Sequence, residues 1–148
     1  MAHRVERTIE TDCSTEEAFA FVADFSTTQR WDPGIVSARR LGDEPIGVGS
    51  RFELVSRFGS REQTIVYEIT RFDPPRSVTL VGEGESFRGT DVISFESREG
   101  GGTRVRYEAD LGLKGFAALA LPFIGKRLDT MSDDAVAGLK STLDALAR

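Results

Sequence analysis

The stretch Pro122-Phe-Ile-Gly-Lys-Arg-Leu128-Asp-Thr-Met131-Ser-Asp-Asp-Ala135-Val-Ala-Gly-Leu139-Lys-Ser-Thr-Leu143-Asp-Ala-Leu146-Ala147 decides the fold. Ile124, Leu128, Met131, Ala135, Leu139, Leu143 and Leu146 recur every three or four residues, which places them on one stripe of an α-helix. About 25 residues at ~1.5 Å each make a helix of roughly 37 Å. Pro122 suits its first turn, where a missing N–H is no loss. A helix of that length with a single apolar stripe needs a broad apolar surface to lie on.

The preceding residues supply it. Strands are expected over 35–42, 49–58, 61–72, 77–83, 87–97 and 103–113. They are punctuated by Gly47-Val48-Gly49, Gly59, Asp73-Pro74-Pro75, Gly82 with Gly84, and Gly100-Gly101-Gly102. Turns at about ten-residue intervals indicate an antiparallel meander. Alternation within the strands separates two faces. Phe52, Leu54, Ser56 and Phe58 share one, with Gln63, Ile65, Tyr67 and Ile69, then Phe87, Asp91, Ile93 and Phe95, then Val105, Tyr107, Ala109 and Leu111. The opposite parity is largely charged, so one covering layer has to bury the apolar face.

Upstream, residues 4–10 alternate like a strand. Ser14-Thr15-Glu16-Glu17 then reads as a capping box, in which Ser14 accepts from the Glu17 N–H and the Glu17 carboxylate reaches back to Ser14. Ala18, Phe21, Val22 and Phe25 give the helix that follows its apolar side. Residues 26–29 form a second short turn, and Trp31-Asp32-Pro33-Gly34 stops the helical region.

The chain of 148 residues reads as one domain, 1–148, with no repeat or linker. Ten Phe, two Tyr and one Trp contrast with one His, His3, and one Cys, Cys13. A disulfide framework, a Cys-rich zinc site and a multi-histidine metal site are excluded on that count, and no cofactor is expected. The net charge is −5, spread evenly along the chain, which argues against a nucleic-acid partner. The N-terminus lacks a signal-like apolar run, and the most apolar stretch, Phe116 to Gly125, is too short to span a bilayer, so a cytoplasmic protein is the simplest reading. Sixteen Arg against three Lys points to a bacterial source of high GC content.

Several phrases in this order resemble the START-like (SRPBCC, helix-grip) superfamily, and within it the polyketide cyclase/dehydrase and lipid-transport family. Ser14-Thr15-Glu16-Glu17-Ala18-Phe19 is similar to the family's opening helix. Trp31-Asp32-Pro33 is similar to its tryptophan before the second strand, Gly47-Val48-Gly49-Ser50-Arg51-Phe52 to its turn into the third strand, and Gly102-Thr103-Arg104-Val105-Arg106-Tyr107 to a late strand. The resemblance covers essentially the whole chain. It implies an α+β helix-grip fold, order β-αα-β6-α, in which a curved antiparallel sheet wraps a long C-terminal helix around a cavity for hydrophobic ligands.

On that implication Phe52, Leu54, Tyr67, Ile69, Phe87, Ile93 and Tyr107 face Leu128, Met131 and Ala135 across a ligand site; periodicity alone favours a solid core. Trp31, in a loop beside Pro33, borders the mouth or anchors the core. Ser56, Gln63, Tyr67, Asp91 and Tyr107 are the polar groups of inward parity. Asp91, the one carboxylate among them, and the two tyrosines are the candidates for acid–base work; the bland alternative has Asp91 near a strand end, solvated or paired with Arg88 or Arg106. Cys13 precedes a helix N-terminus but has no His or Lys partner, so it is expected to be unreactive. Phe116 to Ile124 is either helix-entry packing or an apolar lid that touches a membrane or partner.

The expected function is binding of a small hydrophobic molecule, such as a lipid, polyketide, sterol or quinone. A cofactor-free polyketide cyclase/dehydrase is the enzyme alternative, and an interaction module acting with a partner protein is a third. The sequence leaves monomer or homodimer open.

Overall fold

A computed structural model describes residues 2–148. Strand β1 (Ala2–Thr11) leads into α1 (Thr15–Ala23), a 3-10 turn (Phe25–Thr27) and the single-turn helix α2 (Thr28–Trp31). Six strands follow: β2 (Ile35–Leu41), β3 (Arg51–Phe58), β4 (Arg61–Asp73), β5 (Ser77–Gly84), β6 (Phe87–Ser97) and β7 (Thr103–Leu113). A second 3-10 stretch (Gly115–Ala120) hands the chain to α3 (Leu121–Leu146). The strands and the long helix fall where alternation and turn residues put them, in the helix-grip order that the resemblance implies.

All seven strands form one antiparallel sheet in the order β1-β7-β6-β5-β4-β3-β2. The helical segment after β1 carries the chain from one edge of the sheet to the other, and the rest is a meander. The Ser14 hydroxyl accepts from the Glu17 N–H at 3.2 Å, starting α1. A register shift between Ile69 and Arg71 lets both Ile69 and Phe72 turn towards the core.

The outer face of β1 and β7 carries a ladder of ion pairs: Arg4 with Glu108 at 3.0 Å, Arg106 with Glu6 at 2.9 Å and Arg104 with Glu10 at 2.9 Å. The concave face is covered in two different ways. Over one half, α1 and the turn after it close on the sheet. Phe19 packs against Phe72 and Phe95, and Phe25 against Phe52 and Tyr67. Phe52, Leu54, Ile69, Val78, Leu80 and Ile93 are fully buried there.

Helix α3 runs along β1, tied by polar contacts at both ends. The Thr11 hydroxyl donates to Asp144 at 2.6 Å, Arg7 Nε to Asp133 at 2.6 Å, and His3 pairs with Asp129 at 2.7 Å. In its C-terminal half Leu139 and Leu143 are completely buried. Gly138 permits the closest approach: a Cβ there would fall 2.0 Å from the Trp31 carbonyl oxygen. The N-terminal half carries Leu128, Met131 and Ala135, none of them fully buried. That half is a roof with space beneath it.

Candidate functional site

The space is a cavity of about 530 Å³ between the N-terminal half of α3 and the concave face of β4, β6 and β7. Val5, Ile35, Ile65, Ala109 and Leu111 line it from the sheet side, and Leu121, Ile124, Leu128 and Met131 from the helix. Its inner wall is the row where cavity gives way to solid core: Tyr67 on β4, Asp91 on β6, Tyr107 on β7, with Trp31 and Asp32 at the end of α2. Its mouth opens past Phe58, Gln63, Phe87, Leu113 and Ala117.

The sheet is hollowed by a glycine pair. Gly82 and Gly89 are opposite each other on β5 and β6. A Cβ on Gly82 would meet the Tyr67 ring at 2.6 Å, and one on Gly89 the Phe87 ring at 2.7 Å. The two rings therefore occupy space that a side chain at either glycine would take. Gly82, which reads in the sequence as turn punctuation, sits inside β5.

Of the thirteen residues expected around a ligand, Trp31, Ser56, Tyr67, Phe87, Asp91, Tyr107, Leu128, Met131 and Ala135 line the cavity. Phe52, Leu54, Ile69 and Ile93 do not. They share the inward parity but lie under α1 and the turn following it, in the solid half. Strand parity specifies a face and carries no information on position along it. Trp31 is also relocated: it ends α2 rather than lying in a loop, is 4% exposed, and meets the Tyr107 ring edge-to-face with 6.3 Å between centroids.

Asp91 is 5% exposed, and neither Arg88 nor Arg106 reaches it. Those arginines pair with Glu83 and with Glu6 and Glu108 on the outer face. Tyr107 donates its hydroxyl to Asp91 Oδ2, while Oδ1 is buried without a partner among the described residues. Burial pushes the Asp91 carboxyl up to about 7; the Tyr107 bond opposes this and the charge of Asp32 adds to it. Burial and then the charge of Asp91 push both Tyr67 and Tyr107 well above an ordinary phenol, so both are O–H donors at neutral pH.

Asp32 is a participant that sequence reasoning treats only as part of a helix stop. Its Oδ1 accepts the Gly34 N–H at 2.9 Å, an Asx turn that fixes the carboxyl at the cavity wall. Burial raises it to about 6, against the pull of that N–H and with a further push from Asp134. Asp-Pro-Gly directly after a buried tryptophan is the signal that could have found it. Cys13 is buried and away from this site, its thiol pushed up by burial and by Glu17 and Asp144. Among the described residues no group of three or more His, Cys, Asp and Glu is placed to hold a metal ion.

A curved antiparallel sheet gripping a C-terminal helix, with an apolar cavity between them, defines the helix-grip class of ligand-cavity proteins. The chain belongs to the polyketide cyclase/dehydrase and lipid transport family, whose model matches residues 2–144. None of the curated proteins matches it. Among solved structures it is similar to a START superfamily protein from Mycobacterium smegmatis, with a TM-score of 0.74, 18% identity and coverage of 98% of this chain and 97% of that one. A protein from Thermus thermophilus gives 0.81 at 17% identity, covering 98% and 99%. The Zhui aromatase/cyclase from a Streptomyces species gives 0.76 at 12%, covering 99% and 94%. At these identities the likeness is one of fold.

Proposed function

We propose that this protein binds a small, mostly apolar molecule, of lipid, polyketide, sterol or quinone type, with its polar group at the Tyr67–Asp91–Tyr107 end. The observation that carries the reading is the cavity itself, lined mostly by apolar side chains and ending in a buried carboxyl oxygen with no partner among the described residues. An unsatisfied buried acceptor is costly, and a ligand group that bonds it removes the cost. The cavity's size falls within the range of small-molecule sites.

Entry is proposed at the 3-10 stretch and the start of α3. Ala117, Ala120, Leu121 and Ile124 from this segment line the cavity, while Phe116, Leu119 and Phe123 point outward at 93%, 73% and 86% exposure. Lys126 and Arg127 follow directly. Apolar knobs beside cations at a cavity mouth suit contact with an anionic membrane surface.

A second reading, acid–base catalysis on a bound polyketide, is favoured by one observation: Asp91 lies inside the cavity and titrates near neutrality. Asp91 would take or give a proton, and a tyrosine would polarise a carbonyl. Native mass spectrometry of the purified protein tests the first reading, with a retained apolar mass as the expected result. Incubation of linear polyketide mimics with the protein and with Asp91→Asn separates the two. Turnover by the parent that Asp91→Asn loses supports catalysis, and turnover by neither supports carriage.

A further inference from the structure

We propose that the inner end of the cavity recognises a protonated amine carried on an apolar body, its nitrogen lying against Asp91 Oδ1 and the Asp32 carboxyl. The inference rests on the ligand-binding reading above and adds the chemical class of the ligand.

The inner end is rich in acceptors and poor in positive charge. Asp91 uses Oδ2 for Tyr107 and leaves Oδ1 buried and unpartnered among the described residues. Asp32 gives one oxygen to the Gly34 N–H. From α3 the charged neighbours are Asp134, whose charge acts on Asp32, and Asp129 and Asp133, which are engaged by His3 and Arg7. From β1 the cation is Arg7, and it is occupied: it donates to Asp133 and to the carbonyls of Glu6 and Asp129. The β4 and β7 strands contribute the phenols of Tyr67 and Tyr107. Arg61, Glu62 and Glu85 stand at the mouth, exposed.

Each class of head group meets this end differently. A carboxylate would add a third negative charge beside two carboxyls in a poorly hydrated pocket. A hydroxyl satisfies one oxygen. An ammonium brings three donors and one positive charge, enough for both carboxyls. The rings of Trp31, Tyr67 and Tyr107 around it offer further attraction for a cation.

The test uses the whole chain and displacement of a bound hydrophobic dye by 1-decylamine, 1-decanol and decanoate. At about pH 8 the amine is expected to displace the dye at roughly tenfold lower concentration than decanol, with decanoate weakest. Towards about pH 5 the amine's advantage shrinks, because Asp91 and Asp32 take up protons and the amine does not lose one. Calorimetry in buffers of different ionisation enthalpy should record proton release on amine binding near neutrality. Asp91→Asn should shrink the amine-to-decanol ratio severalfold, leaving the smaller preference that Asp32 alone supports. Should that variant fail to fold, the pH series on the parent decides. An amine no tighter than decanol, or a decanoate as tight as the amine, overturns the inference while dye and decanol binding preserve the ligand-binding reading. Failure of dye and all three probes to bind removes both.

Discussion

Tyr107 donates its hydroxyl to Asp91 from the adjacent strand, one diagonal step along the β6–β7 ladder, where Ala109 stands opposite Asp91 and Tyr107 opposite Ile93. The bond binds the charged form of Asp91, yet burial outweighs it and the carboxyl titrates near 7. The folded state therefore holds this proton more tightly than the unfolded chain, whose aspartates titrate at ~3.9. Between those values the folded state carries more protons, so this group's contribution to stability falls as pH rises. Asp32, raised to about 6, acts in the same direction. Asp91→Asn should thus gain stability relative to the parent from about pH 4 to 7 and level off above, with a plateau on the order of 2–4 kcal/mol before any loss from the new amide's unpaired N–H. Urea unfolding of both proteins across that range measures it. A parent-to-variant difference that does not change with pH would show an ordinary carboxyl.

Two glycines within α3 should respond very differently to the same substitution. A Cβ on Gly138 meets the Trp31 carbonyl oxygen at 2.0 Å, backbone against backbone, so Gly138→Ala has to push α3 off α2. A loss of about 2–4 kcal/mol is expected, with changed tryptophan emission because Trp31 sits at that contact. At Gly125 the nearest atom is on the His3 ring, 3.1 Å away, and a side chain can shift. Alanine there gains up to ~1 kcal/mol of helix propensity, so Gly125→Ala should stay within about 1 kcal/mol of the parent. Chemical denaturation of the pair checks both.

The fold was legible because strand and helix are coded by short-range repetition. Six strands between residues 35 and 113 and the long helix from Pro122 lie within a few residues of where alternation and turn residues put them. The inward parity of Tyr67, Asp91 and Tyr107 was legible for the same reason. What alternation lacks is any measure of length along the groove. Phe52, Leu54, Ile69 and Ile93 were indistinguishable from Tyr67 until α1 was laid over them. Asp32 was hidden because an Asx turn reads as a local feature, and only the packing of α2 against α3 brings it to the cavity wall. Gly82 and Gly89 belong to the same category, since glycine in a strand marks close approach without saying of what.

Filling the cavity should separate ligand binding from folding. Met131 lines the roof and is only partly buried, so Met131→Trp places a larger ring in space that is already empty. Dye affinity should drop by roughly tenfold or more, an effect of ~1.4 kcal/mol or above, with the melting temperature held within a few degrees. Leu143→Ala is the converse. Leu143 is fully buried in the gripping half of α3 and does not line the cavity. Its truncation should cost about 2–5 kcal/mol and leave dye affinity intact in the folded fraction. Unchanged dye binding in Met131→Trp would place the dye elsewhere.

Phe116, Leu119 and Phe123 project from the segment that roofs the mouth, so any surface they touch is coupled to access. Their exposure makes them dispensable for stability, and Phe116→Ser with Phe123→Ser should alter unfolding free energy by less than about 1 kcal/mol. If the knobs enter a bilayer interface beside Lys126 and Arg127, the parent should co-sediment with vesicles containing anionic lipid, less so as salt is raised, and the double variant should stay in solution. Transfer of a fluorescent apolar probe from vesicle to protein should slow in the variant while the probe's affinity in solution is unchanged, because the knobs face away from the cavity. Equal transfer rates would mean that ligands enter by another route, and absence of vesicle binding by the parent would remove the membrane from the picture.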